Sequence, residues 1–270
     1  MSDRRLDEHG ERTSTGRVLW SAANVLAFLA VLALNALAGT GSLSGESIGD
    51  LANQYSSYFL PANFTFGIWS LIYASLAGFA VFQATPYGLR SDVVRSIGGA
   101  WLLSCLLNVG WVVSFSFRRF GASLALMAAL LTVLFVMHAR VQRPPRGASL
   151  AENAFVIQPF GLYLAWISVA IIANSFHFLA YQQWLGLTEG GATLAAAMML
   201  FAALLGVWML VKRRIWAFPL VVAWALFGIG RRWPDPVLIH RAAYGLSALS
   251  VLVVLAWLAG GTRRGPDRSP

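Results

Sequence analysis

The chain has 270 residues, of which 58% are hydrophobic and only 11% are charged. Soluble domains carry about 25% charged residues, so this composition excludes an ordinary soluble globular domain. An apolar run of about 20 residues can cross a bilayer, and the sequence contains eight such runs. We therefore predict an all-α integral membrane protein with eight transmembrane helices.

The net charge of +9 does not indicate binding to nucleic acid, because the basic residues cluster at the ends of apolar runs. No basic stripe interleaved with aromatic residues is present in the sequence. If the N-terminus is cytoplasmic, fifteen basic residues fall in inside segments and four in outside segments, which fits the positive-inside rule. We expect a multi-pass protein of the cell membrane, in contact with lipid, with both termini cytoplasmic.

The predicted elements begin with a charged tail at residues 1–17 and a first span at 18–39, which is too long for a signal-peptide core. A Gly- and Ser-rich loop at 40–60 without basic residues is a candidate outer lid. Further spans are predicted at 61–84, 97–117, 120–139, 155–181, 192–211, 215–229 and 236–260, before a basic tail at 261–270. A very tight turn at Arg118 and Arg119 separates the third and fourth spans, and Pro219 predicts a kink or tilt in the seventh.

Three of these spans carry a stripe of aromatic and polar side chains at helical spacing. The stripes comprise Phe66, Trp69, Tyr73 and Ala77; Trp101, Cys105, Asn108 and Trp111; and Tyr163, Trp166, Asn174 and His177. Residues at such spacing share one broad face of a helix. Because polar groups that face lipid are costly, the stripes should point into the protein, and we hypothesise that they converge on one pocket.

Several function classes lack their usual residues. The predicted spans contain no Asp or Glu, whereas ion-coupled transporters, channels and intramembrane proteases usually use ionisable groups at membrane depth. The four histidines do not pair at metal-binding spacing, and no nucleotide-binding loop or nucleophile elbow is present. The sequence therefore predicts no catalytic residue, no metal site and no required cofactor.

An aromatic, nearly uncharged interior suits a flat and mostly apolar ligand with a few polar atoms, such as a tetrapyrrole or a sterol. The competing interpretation is purely structural. In that case the aromatic side chains pack the helices together and the asparagines form hydrogen bonds between them.

Three motifs lie in the second, third and fifth spans: Pro61-x-x-Phe64-x-Phe66-Gly67-x-Trp69-x-x-x-Tyr73, Leu107-Asn108-x-x-Trp111-x-x-x-Phe115, and Tyr163-Leu164-x-Trp166-x-Ser168-x-Ala170-x-x-x-Asn174. In this order they resemble the TspO/MBR family, the tryptophan-rich sensory proteins related to the mitochondrial translocator protein. The match covers roughly residues 18–185, with Phe64 where the family commonly has tryptophan and a Gly67-to-Trp69 spacing one residue shorter than usual. The resemblance implies a five-helix bundle at 18–185, with its pocket opening near the first loop, followed by a three-helix extension at 186–260.

The resemblance also implies a class of ligand, because members bind porphyrins, haem and, in animals, cholesterol. Together with the stripes it gives a set of predicted ligand-binding residues: Phe66, Trp69, Tyr73, Asn108, Trp111, Tyr163, Trp166 and Asn174. We predict a membrane receptor or carrier for a hydrophobic small molecule, with a porphyrin or haem as the expected ligand, held between the second, third and fifth spans. Photo-oxidative degradation of tetrapyrroles by an enzyme, uncoupled transport, and a homo-oligomer remain open alternatives.

Overall fold

The computed structural model describes residues 3–141 and 148–262, and all regular secondary structure in these two ranges is helical. The helices are α1 (Asp3–Gly39), α2 (Ile48–Gln54), α3 (Ile68–Ala84), α4 (Pro86–Arg90), α5 (Asp92–Ile97), α6 (Ala100–Ser116), α7 (Phe120–Val141), α8 (Leu150–Glu152), α9 (Gln158–Tyr181), α10 (Glu189–Arg213), α11 (Ala217–Arg232) and α12 (Val237–Thr262). A short 3₁₀ helix (Asn63–Gly67) precedes α3, and a π-helical segment (Asn153–Ile157) precedes α9. The all-α prediction is confirmed for the described ranges.

Six helical segments in the described part of the chain are long and apolar enough to cross a membrane: Leu19–Gly39, Asn63–Ala84, Phe120–Val141, Leu150–Tyr181, Glu189–Arg213 and Val237–Gly260. The other two predicted spans correspond to α6, with 17 residues, and α11, with 16 residues. At 1.5 Å per residue these two helices are about 25 Å long, slightly less than the hydrocarbon core of a bilayer, which is about 30 Å thick. Six membrane-capable helices are therefore established, and eight spans stay a prediction.

The chain divides into two compact units. The first unit contains Met1–Ile48 and Trp69–Phe160, and the second contains Gly49–Ile68 and Gly161–Pro270. The predicted boundary at residue 185 stays a prediction.

The core of the first unit is aromatic and centres on Trp101 of α6, which is 1% exposed. The Trp101 ring lies 5.8 Å from that of Phe28 in α1 and 5.1 Å from that of Phe79 in α3. Phe160, in the first turn of α9, packs edge-on against Trp101 at 5.5 Å and against Phe79 at 4.9 Å. Tilted and edge-to-face arrangements of this kind are the favoured geometries of aromatic pairs, so these rings fix the packing of α1, α3 and α6.

Side-chain amides also connect the helices of the first unit. Asn35 of α1 donates a hydrogen bond of 2.8 Å from Nδ2 to Oδ1 of Asn108 in α6. Nearer the start of α1, Asn24 donates from Nδ2 to Oε1 of Gln83 in α3 at 3.0 Å. Trp101 donates from its indole to the backbone carbonyl of Asn24 at 3.3 Å. Amides between apolar helices need such partners because lipid offers none.

In the second unit, α10, α11 and α12 pack against one another, and the 3₁₀ helix packs against α11. The backbone N–H of Ala62 donates to the carbonyl of Gly228 at 3.0 Å. In the other direction, the indole of Trp224 in α11 donates to the carbonyl of Thr65 at 2.9 Å. These two hydrogen bonds hold the 3₁₀ helix and the residue before it against α11.

The first loop differs from its prediction. The segment predicted as a loop at 40–60 contains the helix α2, and Leu51 of this helix is fully buried. Pro219, from which a kink or tilt was predicted, lies in the first turn of α11, where no backbone N–H is required, and the kink or tilt stays a prediction. The tight turn at Arg118 and Arg119 is confirmed, with α6 ending at Ser116 and α7 beginning at Phe120. The predicted C-terminal tail lies almost entirely outside the described residues.

Candidate functional site

Three of the predicted ligand-binding residues form a stacked aromatic wall in the first unit. Trp69 and Tyr73 lie four residues apart on α3, so their side chains lie one above the other on the same face. Their ring centroids are 5.2 Å apart and their planes differ by 20°. Trp111 of α6 also stacks with Trp69, with its centroid 6.0 Å from that of Trp69 and its plane tilted by 28°. The planes of Tyr73 and Trp111 are therefore each near-parallel to the plane of Trp69.

Trp111 also offers a hydrogen-bond donor within this wall. The residue is 7% exposed, and its indole N–H is buried without a hydrogen-bond partner. A buried indole usually finds an acceptor, so this N–H can bind an acceptor atom of a ligand. Trp69 and Tyr73 are half-buried, which leaves part of each ring accessible.

Asn108 has the structural role that the competing interpretation of the sequence gives to the asparagines, a hydrogen bond between helices. The side chain lies three residues before Trp111 on α6, is 1% exposed and accepts the hydrogen bond from Asn35 of α1. Its Oδ1 therefore connects α1 and α6. The sequence does not identify Asn35 as this partner, because a single amide in an apolar run shows only that some partner is required.

The other four predicted residues belong to the second unit. Phe66 lies in the 3₁₀ helix and is half-buried. Tyr163, Trp166 and Asn174 lie on one face of α9 and are 3%, 3% and 5% exposed. The structure thus brings Trp69, Tyr73 and Trp111 together and buries the α9 stripe. Whether all eight residues line one pocket stays a prediction.

A family comparison agrees with the motifs. The model of the family described as "TSPO-like protein" matches residues 21–257. The chain belongs to the TSPO-like protein family. With its six membrane-capable helices, this TSPO-like protein is an integral membrane protein. Searches of curated proteins and of solved structures found no match.

The family match also changes how the C-terminal helices are interpreted. The resemblance read from the motifs covered residues 18–185, whereas the family model extends to residue 257. The helices α10, α11 and nearly all of α12 are therefore inside the region that this family shares. The three motifs all lie before residue 185, which is why the resemblance ended there.

One polar group of this TSPO-like protein was missed by the sequence analysis. Gln83, at the end of α3, is 3% exposed and pairs with Asn24 of α1 beside a cavity of about 660 Å³ in the first unit. A single amide at the end of an apolar run belongs to no periodic pattern, so the sequence analysis did not identify Gln83 as a buried polar residue. The signal that the sequence offered was a second amide, Asn24, in the first apolar run, since each of two amides in apolar helices requires a partner.

Proposed function

We propose that this TSPO-like protein is a membrane receptor or carrier for a tetrapyrrole, and that the macrocycle stacks on the wall formed by Trp69, Tyr73 and Trp111. The observation that supports this proposal is the near-parallel arrangement of the three rings, with interplanar angles of 20° and 28°. A flat macrocycle gains most from a flat π surface, and each aromatic contact contributes about 0.5–1.5 kcal/mol beyond the area that it buries.

The unpartnered indole N–H of Trp111 favours a ligand with acceptor atoms at its edge or centre. Porphyrins offer such atoms at their edge, since the oxygens of their propionate groups accept hydrogen bonds. A sterol offers neither a flat π face nor more than one polar group, and so it uses less of this wall. These two arguments favour the tetrapyrrole over the sterol.

The wall supports binding more directly than catalysis. Its members are two tryptophans and a tyrosine, and none of these side chains is a general base or nucleophile at neutral pH without activation by a neighbour. Degradation of the pigment would need molecular oxygen or light and an indole that donates an electron. We therefore place binding first and test degradation in the same preparation.

The experiment uses the full chain in lipid nanodiscs, titrated with protoporphyrin IX and followed by the porphyrin absorption band and by tryptophan quenching. Trp69→Leu and Trp111→Leu should each weaken binding by about 3- to 10-fold, the range that corresponds to the loss of one aromatic contact. Trp111→Phe keeps the ring and removes the donor, so it measures the contribution of the indole N–H separately.

Trp257→Leu is the matched control, because Trp257 of α12 is 36% exposed and belongs to neither the wall nor the predicted stripes. Unchanged affinity in a Trp69→Leu/Trp111→Leu double variant would remove the proposal. Trp166→Leu separately tests the prediction from the sequence that Trp166 of the fifth span binds the ligand. Loss of pigment under light, faster than in empty nanodiscs and dependent on Trp69, would favour the degrading enzyme.

A further inference from the structure

The first unit contains a cavity of about 660 Å³ that is separate from the aromatic wall. It lies among the middle of α1, the end of α3 and the short helices α4 and α5, and none of the eight predicted ligand-binding residues lines it. Its volume falls within the range of about 300–1,000 Å³ that is typical of small-molecule sites. Its walls combine apolar side chains, notably Trp20, Phe79 and Ile97, with three buried polar ones.

The polar side chains of the cavity are buried and incompletely paired. Ser21, Asn24 and Gln83 are 7%, 4% and 3% exposed. The Asn24–Gln83 hydrogen bond uses Nδ2 of the first and Oε1 of the second. Oδ1 of Asn24, Nε2 of Gln83 and the hydroxyl of Ser21 have no hydrogen-bond partner. Buried polar atoms are nearly always paired, so three such atoms at one cavity indicate a missing binding partner.

The amide pair specifies the polarity of that partner. Asn24 presents an acceptor and Gln83 presents a donor. If both amides are rotated by 180°, their mutual bond is kept and the pair still leaves one donor and one acceptor, so the pattern is a property of the pair. The group that matches it carries an acceptor and a donor on one edge, as a lactam or a primary amide does.

The rim of the cavity favours a neutral ligand over an anion. Arg95 lines the cavity, but its guanidinium is paired with the carboxylate of Asp92. A carboxylate ligand would also place an oxygen against Oδ1 of Asn24, an unfavourable contact between two acceptors. The hydroxyl of Ser21 can donate or accept, so it adapts to either group.

We propose that this cavity is a second ligand site, which binds a neutral, flat, apolar molecule through a lactam or primary amide edge held by Asn24 and Gln83. Phe79 supplies a fixed apolar wall, because its ring is packed edge-on against Trp101 and Phe160. The indole of Trp101 holds the backbone of Asn24 in place through its hydrogen bond to the Asn24 carbonyl. The aromatic core of the first unit therefore holds the backbone of Asn24 and the ring of Phe79 in position.

The test uses the full chain in nanodiscs and two fluorescent probes, 2-quinolone and 1-methyl-2-quinolone. Both are flat and neutral, and the second differs only in that a methyl group replaces the lactam N–H. We expect saturable binding of 2-quinolone above the background of empty nanodiscs, and at least about fivefold weaker binding of the methylated probe, the effect of losing one hydrogen bond. Equal affinities for the two probes, or no saturable binding of 2-quinolone, would overturn the proposal without any substitution in the protein.

Variants then assign the site. Gln83→Met keeps the length of the side chain and removes the donor, and it should weaken 2-quinolone binding at least about fivefold. Asn35→Leu is the matched control, since it removes a cross-helix amide from the same helix α1 without touching the cavity. Undiminished binding in Gln83→Met, or tighter binding of 2-naphthoate than of 2-naphthamide, would contradict the assignment of a neutral amide edge. Protoporphyrin affinity should be unchanged in Gln83→Met, so failure of this site and failure of the aromatic wall can be distinguished.

Discussion

Gly228 of α11 lies so close to Thr65 that a Cβ atom added to the glycine would be 1.9 Å from the Thr65 hydroxyl oxygen. The Thr65 side chain is fully buried, and its neighbour Ala62 donates a backbone hydrogen bond to the Gly228 carbonyl. The absence of a side chain at Gly228 therefore allows the 3₁₀ helix to rest directly on the backbone of α11. This contact positions the segment that precedes Trp69 in the sequence.

Gly228→Ala should destabilise the second unit by about 1–3 kcal/mol, the usual cost of forcing an extra carbon into a packed core. The measurement is thermal loss of the helical circular dichroism signal in detergent. Gly245→Ala is the control, because a Cβ at Gly245 of α12 meets nothing within 4 Å. In a Gly228→Ala/Thr65→Ala double variant the nearest remaining Thr65 atom is Cβ at 3.0 Å, so part of the stability should return. Equal melting temperatures for the two single glycine variants would contradict the close contact.

The indole of Trp224 anchors the same 3₁₀ helix through its hydrogen bond to the Thr65 carbonyl. Trp224→Phe keeps most of the ring and removes the hydrogen-bond donor. It should lower the free energy of unfolding by about 0.5–1.5 kcal/mol. Trp216→Phe serves as the comparison, since the two tryptophans are similarly exposed, 44% for Trp216 and 38% for Trp224, and a larger loss of stability in Trp224→Phe then reports its hydrogen bond to Thr65. Thermal unfolding of both variants measures the difference. A larger loss of stability in Trp216→Phe than in Trp224→Phe would contradict a stabilising role for the Trp224 hydrogen bond.

A third expectation concerns the end of α10, where Arg214 adopts a left-handed conformation with φ of 56°. Glycine reaches this conformation without the steric cost that a Cβ imposes, and it is the usual residue at such helix ends. Arg214→Gly should therefore leave stability unchanged or raise it by up to about 1 kcal/mol. Lys212→Gly, two residues earlier and within the helix, should lower it by about 1 kcal/mol. The opposite order of melting temperatures would show that the Arg214 side chain has a role that its backbone does not explain.

The sequence predicted those features that depend on periodicity or on composition. The spacing of Trp69 and Tyr73 placed both rings on one face, and the apolar runs located the six membrane-capable segments within a few residues of their ends. It could not predict that Asn35 would pair with Asn108, or Asn24 with Gln83. Each of these partners is distant in the chain, and an amide in an apolar run shows only that some partner is required. The sequence also could not predict that Pro219 lies in the first turn of its helix, because this depends on where α11 begins and not on the proline itself.

The hydrogen bond between Asn35 and Asn108 gives Asn108 a second possible role. The sequence predicted that Asn108 contacts the ligand, whereas this bond indicates that it connects two helices. If Asn108 only connects helices, Asn35→Leu and Asn108→Leu should each destabilise the first unit by about 0.6–2 kcal/mol, and the double variant should lose less than their sum. The single cysteine, Cys105, is buried in α6, so its reaction with a thiol dye on heating reports unfolding of this unit. Both single variants should keep protoporphyrin affinity within about twofold, because the stack of Trp69 and Trp111 remains in place. A loss of affinity in Asn108→Leu that Asn35→Leu does not share would instead show that the Asn108 amide binds the ligand directly.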